Sequence, residues 1–574
     1  MAEKRTEFES LGGNNLDGIG GNAKKITYTA EDGTKRSIQI DCGMKFSDKE
    51  ETGVDNYIAP LECDDLLITH AHADHIAGII HHIQMNPDKP LNIYTDQFTH
   101  EFMVAEMVKQ GLPLEYMPKF HDVKDGEKFN VNGFEIEPVS VTHSAPGAVG
   151  FVVESPDGTR MLDLGDFKTT PAILGKGWED KRMAQVFAKG IDVCFCDSTS
   201  TTSNEVTPAY TSVVKGFKKI LQDNPDTQMV VGTIARSAEQ FFADVIAVAE
   251  HAKETGTKPR TFILDGASLL QVNNALNKCG LNMSRVCKEL TGVDVEILDS
   301  HDPKVKSIPA KERIYMVTGT QAEEQASLAR LSRGQNKNIR ASSSCQNLCV
   351  IQQAVIPSGD NQEKVDAMIG ALHGQGWKTM IPERGAPFVE GQTYYVSGHG
   401  RAGDMEKLAE IAAQNQPAGR PCTFIGIHGN ETQTKATEAI FEAKGQKVEH
   451  ITNAQKVVVS EGEVKVSPTI GKATRFAVID ENDDFMNPDF RYIQEVFNPV
   501  SKKWEQVKEV EYEKILQSKK DREAAGRGGN GGNGGYKGGK KGGKHGGKHG
   551  GKHGGKRHNR VNPAILKQMG GQSM

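Results

Sequence analysis

The stretch Thr69-His70-Ala71-His72-Ala73-Asp74-His75 places three imidazoles and one carboxylate within seven residues. Residues 65–68 before it form a short apolar run typical of a buried strand, and residues 76–80 after it indicate the start of a helix. Side chains at 70 and 72 can point one way from an extended loop, while those at 74 and 75 point another way from the helix start. This arrangement favours two adjacent metal ions over a histidine-rich surface turn, because histidine nitrogen and aspartate oxygen are good zinc ligands.

Three further candidate ligands follow predicted strands. They are needed because two four-coordinate metal ions require more ligands than residues 70–75 supply. His143 follows the alternating segment 134–139, Asp166 ends the run 161–166, and His428 follows the apolar run 423–427. Taken singly, each signal is weak, because a lone histidine after a strand is more often a hydrogen-bonded loop residue. Together they predict ligands that converge on one sheet edge.

In their order along the chain, these motifs resemble the metallo-β-lactamase superfamily, and more narrowly ribonuclease J in its β-CASP nuclease branch. The resemblance spans about residues 8 to 470, and besides the histidine motif and His143 it is carried by Leu11-Gly12-Gly13, Ile40-Asp41-Cys42-Gly43-Met44-Lys45-Phe46, Gly165-Asp166-Phe167-Lys168, Asp197-Ser198-Thr199, Gly319-Thr320-Gln321, Ser397-Gly398-His399 and His428-Gly429. It implies an α/β fold, namely a metallo-β-lactamase αββα sandwich with an inserted β-CASP α/β domain.

The resemblance also implies a site for two Zn²⁺ ions, with Mn²⁺ or Mg²⁺ as alternatives. The ligands of one ion would be His70, His72, His143 and a bridging Asp166. The ligands of the other would be Asp74, His75, Asp166 and His428. Asp41 would orient a ligand histidine or a loop rather than bind metal.

Asp197 and His399 match two further family positions near the active site. A helix cap at Asp197 and a plain turn residue at His399 are the structural alternatives. The candidate catalytic residues are therefore Asp41, Asp74, Asp166, Asp197 and His399.

The chemistry expected of such a site is hydrolysis of a phosphodiester. Two metal ions about 3.5–4 Å apart lower the pKa of water and neutralise phosphate oxygens, so a hydroxide nucleophile is available at neutral pH. The expected products carry a 5′-phosphate and a 3′-hydroxyl, and no side-chain nucleophile is needed. His399 is the candidate partner of the leaving 3′-oxygen.

The candidate substrate-binding residues lie mostly at strand-to-helix junctions, where backbone amides favour phosphate. They are Arg236, Ser268, Gln321, Ser397, Gly398 and His399. The chain departs from the family pattern here: Thr233-Ile234 stands in place of Ser-Asn, with the arginine shifted to position 236. Ala267 replaces a basic residue, and Gly426-Ile427-His428-Gly429-Asn430 replaces Pro-x-His-Gly-Glu. The family's pocket for a 5′-monophosphate and the preference for 5′-to-3′ exonuclease or endonuclease cleavage are therefore left open.

Changes in pattern along the chain predict its domain organisation. Strands alternating with helices after about residue 205 indicate a mainly parallel sheet. We expect a metallo-β-lactamase domain over 1–204, an inserted β-CASP domain over 205–375, and a return segment with the last ligand over 376–470. A short C-terminal extension, with a helix near residues 509–516, would cover 471–525, and a disordered basic tail would cover 526–574.

Composition fits a large globular enzyme. Of 574 residues, 37% are hydrophobic and 25% charged, and no apolar run is long enough for a membrane span. The N-terminus lacks the apolar core of a signal peptide, and the nine cysteines form no disulfide framework, so we expect reduced thiols and a cytoplasmic protein.

The tail has a charge opposite to that of the rest of the chain. Residues 526–574 hold 11 Lys and Arg and no Asp or Glu, so the 58 Lys and Arg that remain before them face 75 Asp and Glu, a formal charge of −17. Glycine-rich sequence cannot bury a core. The tail is predicted to tether single-stranded RNA electrostatically, with a solubilising linker or adventitious metal binding by its Lys-His pairs as alternatives.

Four functions remain open from sequence. The favoured one is a zinc-dependent ribonuclease J-like enzyme of RNA processing or decay, for which the resemblance also allows a homodimer. A β-CASP nuclease that acts on DNA or on RNA 3′ ends differs from it in substrate. The inserted domain argues against a small-ester or thioester metallohydrolase, and the complete ligand set argues against a non-catalytic RNA-binding scaffold.

Overall fold

The computed structural model describes residues 4–14, 19–47, 49–356, 360–383, 388–482 and 488–517. Two central sheets face each other and carry helices on their outer sides, which confirms the predicted αββα sandwich. A third sheet forms the inserted α/β unit, which lies in the sequence between two strands of the second central sheet, Val193–Asp197 and Thr423–Ile427. A fourth, smaller sheet contains the C-terminal strands. The predicted tail, 526–574, lies outside the described residues.

The first central sheet has eight strands. In spatial order they are Glu463–Ile470, Gln455–Ser460, Arg5–Gly12, Ala23–Thr29, Lys35–Ile40, Asp65–Leu67, Asn92–Thr95 and Lys119–Asp122. The first five are antiparallel and the last four run parallel, so the strand Lys35–Ile40 joins the two halves.

The second central sheet has seven strands. In spatial order they are Lys447–Val448, Thr423–Ile427, Val193–Asp197, Arg160–Asp163, Val149–Glu154, Phe134–Ser140 and Phe129–Val131. The first four run parallel and the rest are antiparallel.

The strand Val193–Asp197 illustrates how the sequence builds these layers. Its side chains alternate between two buried faces: Val193 and Phe195 enter the core between the sheets, while Cys194 and Cys196 pack under the outer helices. Successive strand residues point to opposite faces, so a strand covered on both sides is apolar throughout. Across the sandwich, the ring of Phe195 stacks on that of Phe8 with centroids 3.6 Å apart.

Helices cover both outer faces of the sandwich. On the first sheet they include Gly78–Met85 and Gln97–Gln110, and on the second Asp180–Phe187, Ala402–Asn415 and Glu431–Ala443. The short helices Lys49–Thr52 and Ala73–Ile76 and the 3₁₀ turn Leu114–Tyr116 complete this part. No helix among the described residues is long and apolar enough to cross a bilayer.

The insert is a six-stranded parallel sheet with helices on both faces, as alternating strands and helices predict. Its strands, in spatial order, are Ile297–Asp299, Thr261–Asp265, Arg313–Val317, Thr227–Gly232, Gln346–Ile351 and Lys378–Met380. Its helices are Tyr210–Asp223, Ala238–Thr255, Ala267–Lys278, Met283–Thr291, Ser327–Ser332 and Asn361–Gly374, with 3₁₀ turns at Pro303–Ser307 and Ala310–Glu312. Because Lys378–Met380 pairs with Gln346–Ile351, the sheet extends past residue 375.

The C-terminal strands form a five-stranded antiparallel sheet with two short strands from early in the chain. In spatial order they are Lys503–Glu509, Phe490–Asn498, Thr474–Asp480, Asn56–Ile58 and Met44–Phe46.

The helix predicted near residues 509–516 is wrong. The chain is a strand up to Glu509 and is not helical over 510–516. Tertiary contacts take the backbone groups that a helix would have used: the side-chain oxygen of Gln84 accepts hydrogen bonds from the amides of Ile515 and Leu516. Val510 N donates to Tyr492 O.

Candidate metal centre

The histidine and aspartate cluster lies where strands of both central sheets end. In the second sheet, three strands pair in parallel, so their carboxyl ends meet at one edge. The residues at or just after these ends are Asp166, Asp197 and His428. From the first sheet, the loop after Asp65–Leu67 brings in the histidine motif of residues 70–75.

The first group of donors consists of His70, His72, His143 and Asp166. The Nδ1 atom of His72 lies 3.0 Å from Nε2 of His70 and 2.9 Å from Nε2 of His143. The Oδ2 atom of Asp166 lies 3.7 Å from Nε2 of His70 and 3.8 Å from Nε2 of His143. One donor atom of each residue lies within 4.8 Å of the others.

The second group consists of Asp74, His75, His428 and the same Asp166. Nε2 of His75 is 3.3 Å from Asp166 Oδ2 and 3.7 Å from Asp74 Oδ2. Nε2 of His428 is 3.2 Å from Asp74 Oδ2, and its Nδ1 is 3.6 Å from Asp166 Oδ1. Asp166 therefore stands between the two groups and contributes to both.

The first group fits a cation. Burial lowers the pKa of His70 and His72 well below the usual range and lowers that of His143 to about 4, so the imidazoles are neutral, the form that binds metal. Three neutral rings whose nitrogens converge cannot all be satisfied by hydrogen bonds among themselves.

The second group fits a cation for a different reason. Burial opposes charge on His75 and His428, but the surrounding carboxylates outweigh it and raise both pKa values, that of His428 to about 10. The negative charge of these carboxylates therefore favours a positive charge beside them. In addition, Asp166 Oδ1 is buried and accepts no hydrogen bond from any residue that the structure describes. The cluster could therefore hold metal ions.

Asp41 supports the cluster without entering either group. Its φ of 59° turns the chain sharply after the strand Lys35–Ile40. Its carboxylate accepts hydrogen bonds from the Thr69 amide at 2.9 Å and from Nδ1 of His75 at 2.8 Å. This contact holds the ring of His75, and the orienting role of Asp41 stays a prediction.

Asp197 and His399 form a pair at the open side of the cluster. His399 Nδ1 lies 2.7 Å from Asp197 Oδ2, and 3.8 Å from Asp166 Oδ2. The other Asp197 oxygen accepts a hydrogen bond from the Thr199 amide at 2.9 Å, which closes a turn. The helix-cap alternative for Asp197 is wrong, because the next helix begins only at Tyr210. With His428 and Asp166, this pair makes a third overlapping group of donors.

The sequence reasoning missed residues that contact candidate ligands, among them Thr199 and Asn22. The hydroxyl of Thr199 lies 2.6 Å from Nδ1 of His428. The side-chain amide of Asn22 lies 3.2 Å from Nε2 of His75 and donates to the carbonyl oxygen of Asp74 at 3.1 Å. Thr199 belongs to a motif that was singled out, so its position after a strand was the available signal; Asn22 had none.

Among the predicted substrate-binding residues, three lie at the cluster. The guanidinium of Arg236 sits over the ring of Phe102, 4.9 Å from its centroid, and burial lowers its pKa while Glu106 and Asp74 act to raise it. The Gly398 carbonyl accepts a hydrogen bond from Nδ1 of His143 at 3.0 Å, and a Cβ at position 398 would lie 2.8 Å from that ring. His399 is the third.

The remaining three are used differently or lie elsewhere. The Ser397 hydroxyl accepts a hydrogen bond from the His399 amide, which shapes the turn. The side-chain amide of Gln321 binds the backbone of Ala354 and Ile356, and Ser268 lies in the first turn of Ala267–Lys278. No described contact joins Gln321 or Ser268 to the cluster. The junctions were read correctly as strand-to-helix turns, but the packing of the insert decides which of them face the site.

The chain is similar to a β-lactamase superfamily domain and to ribonucleases J of several bacteria. A family model described as a β-lactamase superfamily domain matches residues 36–232. Ribonuclease J of Mycolicibacterium smegmatis is 25% identical over 452 residues, covering 76% of this chain and 73% of that protein. Ribonuclease J of Mycobacterium tuberculosis is 26% identical over 449 residues, which cover 76% of this chain and 72% of that protein. Ribonuclease J of Sinorhizobium meliloti is 24% identical over 473 residues, which cover 80% of this chain and 75% of that protein.

Proposed function

Because the chain is a homologue of bacterial ribonuclease J that carries a β-lactamase superfamily domain, we propose that it is a two-metal ribonuclease that hydrolyses RNA phosphodiesters. The observation that carries the proposal is the shared position of Asp166 between two groups of histidine and aspartate donors. Neither group is complete without it, and a carboxylate that contributes to both is suited to a pair of adjacent ions.

In this proposal His70, His72, His143 and Asp166 hold one ion, and Asp74, His75, Asp166 and His428 hold the other. The donor set of imidazole nitrogen and carboxylate oxygen favours Zn²⁺, with Mn²⁺ or Mg²⁺ as alternatives. Bound there, the ions lower the pKa of water and offset the negative charge of the phosphate.

The chain's own side chains then bind and orient the RNA. Arg236 carries a charge toward the cluster and contacts a phosphate oxygen of the scissile or neighbouring nucleotide. His399 lies beside the cluster with its Nδ1 on Asp197, which leaves Nε2 to face the substrate and to give a proton to the leaving 3′-oxygen. The products carry a 5′-phosphate and a 3′-hydroxyl.

The finer features rest on the sequence. The basic tail is proposed to tether single-stranded RNA. A homodimer stays a prediction of the resemblance, and a cytoplasmic location stays a prediction from the N-terminus and the cysteines. The proposal covers both 5′-to-3′ exonuclease and endonuclease cleavage.

The test is hydrolysis of matched RNAs that begin with a 5′-monophosphate, a 5′-triphosphate or a 5′-hydroxyl, assayed with Zn²⁺ or Mn²⁺. We expect cleavage with 5′-phosphate products and a loss of about 10³-fold or more in His72→Ala and Asp74→Ala. His301→Ala, at an exposed histidine, is the matched control and keeps parental activity. If both site variants cut as fast as the control, the two-metal mechanism is wrong.

A further inference from the structure

A polar cleft lies on the insert, at the amino ends of three neighbouring strands of its sheet. Its volume is about 480 Å³, and its floor is formed by the side chain of Gln228 and the turn around Ile308. The strands that start beside it are Thr227–Gly232, Arg313–Val317 and Gln346–Ile351.

All the charged side chains that line the cleft are positive. Lys306, Arg313 and Arg340 line it, together with the hydroxyl-bearing Ser307, Ser342 and Ser344. No Asp or Glu lines it. Among the residues that the structure describes, none of these three cations forms an ion pair with a carboxylate. The neighbouring carboxylates Glu312, Glu296 and Asp226 pair with other lysines, namely Lys258, Lys304 and Lys311. Three unpaired cations in one concavity are unusual in a body whose formal charge before residue 526 is −17.

The two arginines are positioned rather than free. Arg313 donates from Nε to the Ile308 carbonyl at 2.8 Å, and its Nη1 lies 3.4 Å from the Tyr315 hydroxyl. Arg340 donates from Nη1 to the Gly334 carbonyl at 2.9 Å. A guanidinium has five N–H donors, so each arginine keeps donors for a ligand while its backbone partners hold it in place. Arg313 is half-buried, and Lys306 and Arg340 are exposed.

The composition of the lining selects phosphate over other ligands. Guanidinium, ammonium and hydroxyl groups match phosphate oxygens. The lining contains no aromatic side chain on which a base could stack. The cleft therefore suits a phosphate backbone read without regard to sequence.

The cleft is remote from the metal cluster. Arg236 follows the carboxyl end of the strand Thr227–Gly232, and the charge of Asp74 in the cluster acts on its pKa. The cleft lies at the amino end of the same strand. A strand of six residues spans roughly 17–20 Å. A ligand in the cleft is therefore separate from the groups that act at the scissile bond.

We infer that this cleft is a second, non-catalytic contact for the phosphate backbone of RNA. The identity of the ligand as RNA rests on the proposed function. A long RNA whose reacting nucleotide lies at the metal cluster would pass over the insert and place backbone phosphates on Lys306, Arg313 and Arg340.

The test compares two pairs of substitutions in the full-length chain. Lys306→Ala with Arg340→Ala removes two exposed cations of the cleft. Lys219→Ala with Lys288→Ala removes two exposed lysines from helices of the insert, with the same change in net charge. Both pairs are made in an Asp74→Ala background to prevent cleavage, and affinity for a single-stranded RNA of about 30 nucleotides is measured by fluorescence anisotropy over a salt series.

We expect the cleft pair to weaken RNA affinity roughly three- to tenfold at low salt and to reduce the slope of log affinity against log salt by about 1.4, since each single-strand contact contributes about 0.7. The control pair should change neither quantity. Equal affinity of the two pairs, whether both unchanged or both weakened, would overturn the inference. The proposed function is tested separately: if the parent chain fails to cut RNA, the nuclease proposal falls, while the binding comparison still decides whether the cleft contacts phosphate.

Discussion

The imidazole Nδ1 of His399 lies 2.7 Å from the carboxylate of Asp197, although the two residues are 202 positions apart in the chain. The insert accounts for most of this separation, so the pair forms only when the chain returns to the central sandwich. A proton-carrying group is thereby fixed beside the donor cluster by a carboxylate from the second central sheet.

Replacing His399 by Ala should lower kcat for RNA by about 10²–10⁴-fold, the usual contribution of a positioned proton donor. Because His399 is not one of the seven proposed ligands, the metal content should stay at the parental value. Turnover and metal analysis on the same preparation check both parts. A loss of metal from His399→Ala would place this residue among the ligands instead.

Thr199 is a positioning residue for His428. Its hydroxyl is 2.6 Å from His428 Nδ1, and removal of such a partner commonly costs about 10- to 100-fold in metal affinity. Thr199→Val keeps the shape and removes the hydroxyl, so competition with a chelator should reveal weaker binding of one ion. Thr199→Ser keeps a hydroxyl and should retain the parental metal affinity. If the Thr199→Val and Thr199→Ser variants bind metal equally well, the contact has no such role.

Glu239 should make stability depend on pH. Its buried carboxyl accepts hydrogen bonds from the amides of Ile173 and Leu174, and burial raises its pKa to about 8, while those bonds and the nearby Lys168 act to lower it. Tyr210 also feels its charge. The folded state therefore favours the protonated acid, so this stabilisation is complete at low pH and is lost as pH rises through about 8.

The measurement is the free energy of unfolding of the parent and of Glu239→Gln between about pH 6 and pH 9. As pH rises over this range, the free energy of unfolding of the parent should fall by roughly 1–3 kcal/mol more than that of the variant. Glu363→Gln, at an exposed glutamate in the insert, is the control and should follow the parent. Parallel curves for the parent and Glu239→Gln would show that this carboxyl is already ionised in the folded chain.

Deleting residues 526–574 should weaken RNA affinity and leave turnover at saturating RNA unchanged. The segment carries 11 Lys and Arg and no acidic residue, so the loss should be roughly tenfold or more at low salt and should shrink as salt rises. A chain of full length with those cations replaced by Gln separates charge from length. Equal affinity of the parent and the deletion at low salt would refute the tether.

The sequence predicts the central site well because its residues follow strands. Asp166, Asp197 and His428 lie at or just after the ends of three adjacent parallel strands, which bring them to one edge of the second sheet. His70 follows a strand of the first sheet. Each strand is predicted from its own run of apolar residues, so no knowledge of distant contacts is needed. The parallel sheet of the insert follows from the same kind of pattern, whereas the αββα sandwich was implied by the family resemblance.

The parts that could not be predicted depend on packing between distant segments. Gln321 and Ser268 occupy the expected kind of turn, yet no described contact joins either of them to the cluster. Asn22 precedes the strand Ala23–Thr29 and His75 follows Asp65–Leu67, and the two residues meet because both strands lie beside Lys35–Ile40 in the first central sheet. The segment 510–516 is extended because Gln84 supplies partners for its amides, a contact that no local pattern reveals.

The most direct test of the central claim is the metal content of the purified full-length chain. We expect about two ions per chain in the parent and in His301→Ala, and close to none in Asp166→Ala, because both donor groups share that carboxylate. Unfolding curves on the same samples establish that each variant is folded. A folded parent that binds no metal, or a folded Asp166→Ala that still holds two ions, would contradict the account.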